Sequence, residues 1–239
     1  MPENQFISNS LENNLLISIR SDSILYSVTD ENEQVLLHQE INMLPGKMAD
    51  ATVYGHFFNQ PELNILSENV LILIENSHFQ LIPDELFREE NMRELFELEF
   101  GKMENSKIKY ILLPKWGAHL VFGAPAAMID FFEAKYPDAV IEHHISGLLK
   151  KKINKSDEAV FAYLRKDTVD VLVVKDNLLQ LVNSFDVKTT EDCCYFVLNV
   201  YEQLQLNTES MTLVLMSENS VNEEFIDLLK KYIVTVKVK

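Results

Sequence analysis

The feature that most constrains the fold is an internal repeat, because both halves of the chain carry the same order of hydrophobic patterns. Each half opens with three short apolar or alternating runs separated by turn residues, which is typical of β-strands. A helical pattern and then a continuous apolar run of strand length follow in both halves. The repeated starts lie near Leu15, Ile24, Val35, Met48 and Val70 in the first half, and near Val160, Val169, Leu178, Thr190 and Thr212 in the second.

Each half ends with a further helix and strand, so the repeat predicts an α/β protein with two tandem β-β-β-α-β-α-β units. Internal duplication constrains an architecture more firmly than any single element does. Three antiparallel strands followed by helix-linked parallel strands give a mixed five-stranded sheet, and we expect helices on both faces of its parallel part. The alternative is that two unrelated α/β segments agree by chance.

We predict the first unit at residues 10–150 and the second at residues 156–239. The basic segment Leu148–Lys155, "LLKKKINK", lies between them. In an acidic chain it could dock an anionic partner, but a solvated connection between the units is the simpler interpretation. An inter-unit hinge would lie in this segment.

Several local patterns predict boundaries within this layout. Pro83 suits the first position of a helix, with acidic residues in the first turn after it. The segment Pro114–Pro125 holds the only tryptophan and two of the six glycines, in a predicted loop after a strand. It is the best candidate for a ligand pocket or partner loop, although an ordinary loop is the simpler interpretation. Thr190 should cap the following helix, and Ser220–Glu223 has the spacing of a capping box.

His143 and His144 fall in a predicted strand, where consecutive side chains point to opposite faces. They could not chelate one metal ion together, and we expect one to be buried and the other exposed. Cys193 and Cys194 are adjacent, so they are poorly placed for a structural disulfide. Since no CxxC spacing is present either, we expect no metal site.

The charge and hydropathy of the chain exclude several classes of function. A formal charge of −16 disfavours nucleic-acid binding and anionic membrane surfaces, because both need a basic face. No apolar run approaches the roughly 20 residues that span a bilayer, and the N-terminus lacks a signal pattern. The sequence therefore predicts a cytoplasmic protein, or one whose partner is basic.

The duplicated layout resembles the actin-like ATPase superfamily, in which a ribonuclease H-like fold is used twice. Within it, the chain is similar to an uncharacterised bacterial family with an actin-like ATPase fold. The segments that carry this resemblance are "NNLLISIRSDSILYSV", "FQLIPDELF", "KYILLP" and "AVFAYLRKDTVDVLVVKDNLLQLVNSFDV". A looser likeness is to actin-like adaptors of pilus-assembly and secretion machines, which implies a protein partner, as yet unidentified, and possible self-association by analogy.

The resemblance also implies where a nucleotide would bind. Actin-like ATPases hold ATP between their two units, and the first hairpin of each unit carries an Asp-x-Gly-type motif. Glycine lets the backbone approach phosphate, and the aspartate organises Mg²⁺ and water. In this chain Ser18 stands about where the first aspartate belongs, with Arg20 or Ser21 in place of the glycine.

The second unit departs in the same way, since Ala162 or Tyr163 replaces the aspartate and Arg165 the glycine. The segment after the late strand, Leu215–Ser220, also lacks the glycines that usually accept adenosine. The sequence therefore predicts a non-catalytic interaction or scaffold module with no cofactor. The alternative is a divergent ATPase that grips ATP and Mg²⁺ through Arg20, Ser21, Arg165, Lys166 and Asp167.

Overall fold

The computed structural model describes residues 13–43, 51–58, 67, 69–218 and 220–239. The chain divides into two compact units, Met1–Lys150 and Lys151–Lys239. The strands of the first unit are β1 (Asn14–Ile19), β2 (Ser23–Thr29), β3 (Val35–Asn42), β4 (Asn69–Ile74), β5 (Phe79–Pro83), β6 (Ser106–Leu113), β7 (Ala118–Pro125) and β8 (Val140–His143). Its helices are α1 (Ala51–Phe58), α2 (Met92–Phe100), α3 (Ala126–Lys135) and α4 (His144–Gly147), with 3-10 turns at Glu89–Asn91 and Pro114–Trp116.

The main sheet of the first unit has the order β3-β2-β1-β4-β8. β1 pairs antiparallel with β2 and parallel with β4, and β4 pairs parallel with β8. Aromatic rings on α1 and α3 cover one face of this sheet. Tyr54 and Phe58 on α1 contact Phe132 on α3 at ring-centroid distances of 5.5 and 5.3 Å, and Tyr26 on β2 lies 6.1 Å from Phe58.

A second, three-stranded sheet is inserted between β4 and α3, with the order β5-β7-β6. Helix α2 covers one face of it, where Phe96 is fully buried against Ile82 and Val121. Gly123 on β7 is required by this packing, because a Cβ there would lie 2.9 Å from Cε1 of Phe96. The repeat in the sequence did not predict this insertion.

Two of the local predictions are wrong in the inserted sheet. No helix begins at Pro83, since Phe79–Pro83 is strand β5, paired antiparallel with β7. β5 is an edge strand, where proline costs little because its missing N–H is not needed by the ladder. Pro114–Pro125 is not a loop, because Gly117 turns the chain at φ 63° and Ala118–Pro125 forms the central strand β7.

The histidine prediction is also wrong. β8 ends at His143 and α4 begins at His144, so strand alternation stops between them and both side chains are buried. Nε2 of His143 donates to the carbonyl of Asn76 at 3.1 Å, and Nδ1 of His144 donates to that of Ile74 at 3.4 Å. Both rings therefore fix the end of β4 to the end of β8.

The basic segment after these histidines is more ordered than a solvated connection. Leu148–Lys152 forms a π-helical turn, and Leu148, Leu149 and Ile153 are buried. Lys150 forms an ion pair with Glu142, and the indole N–H of Trp116 donates to the carbonyl of Leu149 at 3.0 Å. The apolar residues on either side of the three lysines are buried, so the segment is packed against the protein as well as charged.

The second unit repeats the main sheet of the first. Its strands are β9 (Ala159–Leu164), β10 (Thr168–Lys175), β11 (Leu178–Asp186), β12 (Leu213–Ser217) and β13 (Val236–Val238), and its helices are α5 (Thr190–Gln203) and α6 (Glu223–Lys230). The sheet order is β11-β10-β9-β12-β13, which matches β3-β2-β1-β4-β8 strand for strand. The registers agree as well, because Ile19 pairs with Ile24 and Leu164 pairs with Val169.

The hydrophobic cluster that the two helices of the second unit cover lies on one face of its sheet. Val197 on α5 and Leu229 on α6 pack into one cluster with Val160, Val171 and Leu213. Both helices cover the same face, contrary to our expectation of helices on both. Both crossovers run in the same direction along the sheet, and the general preference for right-handed crossovers then puts their helices on one face.

The predicted helix starts need small corrections. The N-cap of α5 is Thr189, not Thr190, and it forms a capping box with Asp192. The N-cap of α6 is Asn222, whose side chain accepts from the N–H of Glu224 at 2.8 Å. Within the described ranges, no helix is both long and apolar enough to cross a membrane.

Cys193 and Cys194 are free thiols, and both are buried on α5. Burial raises the pKa of the Cys193 thiol to about 12 and also raises the pKa of Cys194. The thiolate is the reactive form of cysteine, so both residues are unreactive core residues near neutral pH.

We expect Gly123→Ala to destabilise the protein by about 1–3 kcal/mol, because the added methyl would overpack Phe96 and Ile108. The change in free energy of unfolding can be measured by urea denaturation. Gly55→Ala on α1 is the matched control, since nothing lies within 4 Å of its Cβ position. It should leave stability unchanged or raise it by up to about 1 kcal/mol. Equal effects at both sites would contradict the packing described for Gly123.

We expect iodoacetamide at pH 8 to modify neither cysteine of the folded protein, because both thiol pKa values are raised and both side chains are buried. Mass spectrometry of the intact protein after timed quenching measures the modification. The same reaction in denaturant is the control and should label both residues. Rapid labelling in native buffer would contradict the burial of α5.

Candidate functional site

Each unit has its own candidate site at its first β-hairpin turn, because each turn stands where the resemblance implies a phosphate-binding motif. The turns are Arg20–Ser23 between β1 and β2, and Arg165–Thr168 between β9 and β10. The N–H of Arg20 donates to the carbonyl of Ser23 at 2.9 Å, and that of Arg165 donates to the carbonyl of Thr168 at 2.9 Å. The two turns are therefore equivalent in geometry.

This equivalence aligns the two hairpins with each other residue by residue. Ile19 and Leu164 occupy the same register position, so Arg20 matches Arg165 and Ser18 matches Tyr163. By the resemblance, both units then carry arginine where a glycine would stand and a hydroxyl side chain where an aspartate would stand.

In the first unit the arginine is held by two carboxylates. Nη1 of Arg20 lies 3.0 Å from Oε1 of Glu40 on β3, and Nε lies 3.4 Å from Oε1 of Glu75, which follows β4. The hydroxyl of Ser18 donates to Glu75, and that of Ser23 donates to Glu40 at 2.9 Å. Glu75 is only 5% exposed, so this carboxylate depends on its donors for stabilisation.

In the second unit the arginine is held by one fully buried carboxylate. Nε and Nη2 of Arg165 lie 2.8 and 2.9 Å from the two oxygens of Asp170 on β10. Asp170 is 0% exposed and also accepts from the hydroxyl of Ser184 on β11. This bidentate pair has the geometry of the strong class of charge-assisted hydrogen bonds.

A second equivalent contact lies beside each arginine. Glu75 and Glu218 are the residues that follow β4 and β12 at matched positions. The hydroxyl of Tyr163 donates to Oε1 of Glu218 at 3.3 Å, as the hydroxyl of Ser18 donates to Glu75. Both units therefore link the ends of two parallel strands through a hydroxyl–carboxylate hydrogen bond.

The structure places the other candidate residues at the tips of the turns. Ser21, Lys166 and Asp167 are exposed, whereas Arg20 and Arg165 are 22% and 14% exposed. Among the described residues, no group of three or more His, Cys, Asp or Glu side chains is arranged to hold a metal ion. The arrangement neutralises the arginines within each unit, so a phosphate would have to compete with a carboxylate for them.

The sequence analysis missed the carboxylates that complete the site, namely Glu40, Glu75, Asp170 and Glu218. Asp170 carried a signal, since it is the one charge within the apolar run of β10 and lies five residues after Arg165, just across a tight turn. Glu75 carried a weaker signal, as a carboxylate directly after a buried strand. Glu40 and Glu218 lie in polar surroundings that gave no such contrast.

We expect Arg165→Ala to destabilise the protein by about 3–5 kcal/mol, because it leaves Asp170 buried without its partner. Arg20→Ala should cost less, since Glu40 is 47% exposed and water can replace the arginine there, while the buried Glu75 keeps the hydrogen bond from Ser18. Lys166→Ala in the same turn is the control and should change stability by no more than about 0.5 kcal/mol. Urea denaturation measures all three, and similar losses for Arg165→Ala and Lys166→Ala would refute the pair's role.

Comparison with known proteins confirms the fold. A crystal structure from Bacteroides thetaiotaomicron, described as a protein with actin-like ATPase fold and unknown function, is similar with a TM-score of 0.84 and 29% identity over 97% of this chain and 92% of that chain. The chain thus has an actin-like ATPase fold, with two tandem ribonuclease H-like units.

More distant structures share the fold alone. A type IV pilus biogenesis complex of PilM and PilN matches with a TM-score of 0.56 and 13% identity, over 97% of this chain and 88% of that chain. The ethanolamine utilization protein EutJ from Carboxydothermus hydrogenoformans matches with a TM-score of 0.50 and 10% identity, over 95% and 84%. A search of curated protein sequences found no match. A family model, DUF3822, described as a protein of unknown function, matches residues 3–236, and the chain therefore belongs to this family.

Proposed function

We propose that this protein is a non-catalytic, cytoplasmic interaction module in which two ribonuclease H-like domains, residues 10–150 and 156–239, serve as a scaffold for a protein partner. The observation that carries the proposal is the internal use of the hairpin arginines. Arg165 binds the buried Asp170, and Arg20 binds Glu40 and Glu75. Groups that would have to bind phosphate already contribute to the stability of their own units.

The chemistry at the motif positions supports this proposal. Backbone approach to a phosphate needs a residue without a side chain, and both positions carry arginine. Mg²⁺ is usually bound through carboxylates, but the aspartate positions hold Ser18 and Tyr163. Their hydroxyls donate to Glu75 and Glu218 instead.

The energetic cost of freeing the arginines also supports it. Removing the partner of a buried carboxylate costs about 3–5 kcal/mol, and a phosphate that took Arg165 would leave Asp170 in that state. Asp170 is fully buried, so water cannot compensate. A nucleotide would therefore lose much of its binding energy to the displaced carboxylate.

A protein partner is supported by charge and by fold analogy. The formal charge of −16 favours a basic partner surface, since long-range attraction raises the rate of encounter. The PilM–PilN structure shows that a chain of this fold can form a complex with another protein. At 13% identity it says nothing about which protein binds here.

A divergent ATPase is the second candidate, and the exposed turn residues favour it. Ser21, Lys166 and Asp167 lie at the turn tips, where a bound ATP could reach them without opening the core. In that case Arg20 and Arg165 would contact phosphate only if their carboxylate partners moved.

We expect isothermal titration of the full chain with Mg²⁺ and ATP to show no saturable binding at micromolar concentrations. Circular dichroism before and after titration checks that the protein is folded. Low-micromolar affinity would overturn the proposal. In that event Lys166→Ala distinguishes the candidates, because weakened binding assigns the nucleotide to the turns and unchanged binding places it elsewhere.

A further inference from the structure

Strand β3 is an edge strand that lacks the usual protection against pairing with another strand. Exposed sheet edges are normally blocked by short length, lysine, proline or cover. Val35–Asn42 is eight residues long and contains no lysine, arginine or proline. Val35 and Leu36 are 63% and 39% exposed. No strand in the described part of the chain pairs with its outer edge.

The other edge strands show what is missing from β3. β8 and β13 have only four and three residues, and β13 carries Lys237. β5 ends in Pro83, and β6 carries Lys107 and Lys109. Among the edge strands that the structure describes, β11, the counterpart of β3 in the second unit, is the one that is similarly long and free of lysine and proline.

The hydrogen bonds of β3 define which of its residues face outward. The N–H of Met43 donates to the carbonyl of Asp22 on the β2 side at 2.6 Å. The main-chain groups of successive residues point alternately to the two edges of a strand. The N–H and C=O groups of Leu37, Gln39 and Ile41 therefore also point toward β2. The N–H and C=O groups of His38 and Glu40 therefore point outward.

We propose that β3 pairs antiparallel with β3 of a second copy of this chain, on a two-fold axis that passes through Gln39. The two strands can form hydrogen bonds only if residues whose N–H and C=O groups point outward lie opposite one another. This alternation requires the two-fold axis to pass through a residue and not between two residues. An axis through Glu40 would place two carboxylates opposite each other, and an axis through His38 would place two histidines opposite each other. The axis through Gln39 places His38 opposite the partner's Glu40, twice.

The same register also matches the apolar side chains. It places Leu37 opposite the partner's Ile41 on the other face of the strand, again twice, and cross-strand apolar pairs stabilise a sheet. Within the described residues, the bonds that Glu40 accepts from Arg20 and Ser23 both end on Oε1. In the proposed pairing, the partner's His38 donates to Oε2 of Glu40.

β11 does not offer this self-complementarity. Its outward residues around the equivalent centre, Asn183, are Val182 and Ser184, and Ser184 already donates to Asp170. Leu181 and Phe185 pack against the core of the second unit. A contact built from one strand is smaller than the roughly 1,600 Å² of a standard interface, so the β3 dimer should be concentration-dependent.

Gln39→Cys tests the axis directly. At a non-hydrogen-bonded antiparallel pair the two Cα atoms lie about 4.5 Å apart, within the range of about 4.4–6.8 Å for a disulfide. Paired cysteines react at effective concentrations on the order of millimolar. Under mild oxidation at micromolar protein, Gln39→Cys should therefore form a covalent dimer at least about tenfold faster than its controls.

Two control variants place a cysteine away from the proposed axis. One matches the exposure of Gln39 on another strand, and the other lies on β3 itself. Asn183→Cys is exposed at the equivalent position of β11. Leu37→Cys lies on β3 itself, where the register separates the two copies by four residues, about 13 Å. Equal rates for Gln39→Cys and Asn183→Cys, or faster cross-linking of Leu37→Cys, would overturn the proposal.

Sedimentation velocity of the unmodified chain gives a second measurement. Its average mass should rise with concentration, whereas His38→Pro should stay monomeric, because proline removes an outward N–H without breaking a bond to β2. A chain that stays monomeric at every concentration would refute the dimer. Since no nucleotide is involved, this outcome is independent of the ATP titration.

Discussion

The rest of each unit depends on one constraint, which is that a carboxylate at the end of the sheet must be paired with the arginine in the first hairpin turn of the same unit. Asp170 is fully buried and is stabilised by two hydrogen bonds from Arg165. This pair fixes the turn between β9 and β10, and the turn fixes the register of the strands on either side. The first unit meets the same constraint with Arg20, which joins β1, β3 and the end of β4 through Glu40 and Glu75.

The two units reach this result with different residues. The arginine keeps its place in both, but its main acid lies on β3 in the first unit and on β10 in the second. Leu25 and Glu40 are a cross-strand pair, and Asp170 and Ser184 are the matching pair. The acid has thus changed strands while the arginine, the turn and the sheet order stayed the same.

The sequence predicted the elements whose signal is local and repeated. Three hairpin-like runs, a helix and a buried strand recur in both halves, and the structure confirms the duplicated sheets. It did not predict β5 and β7, because Pro83 and the glycines at positions 117 and 123 are local signals for a turn or helix start. Their strand conformation follows from pairing with each other and from the ring of Phe96 against Gly123, contacts that no local pattern contains. The sequence predicted the arginines of the candidate site, because they stand in recognisable turns. It did not predict Glu40 and Glu75, because these residues come from strands that are distant in the sequence.

The way the inserted sheet is attached has a consequence for how such a chain can vary. The side chain of Asn76 donates to the carbonyl of Gly123 at 2.9 Å, and the N–H of Gly123 donates to the carbonyl of His78 at 3.1 Å. The chain therefore leaves the main sheet and returns to it at almost the same point. In the second unit a short link from β12 to α6 occupies the equivalent place. A segment anchored in this way can lengthen, shorten or change its surface while the parallel strands on either side keep their partners. Relatives can therefore diverge in this part of the molecule with the least loss of stability in the main sheet.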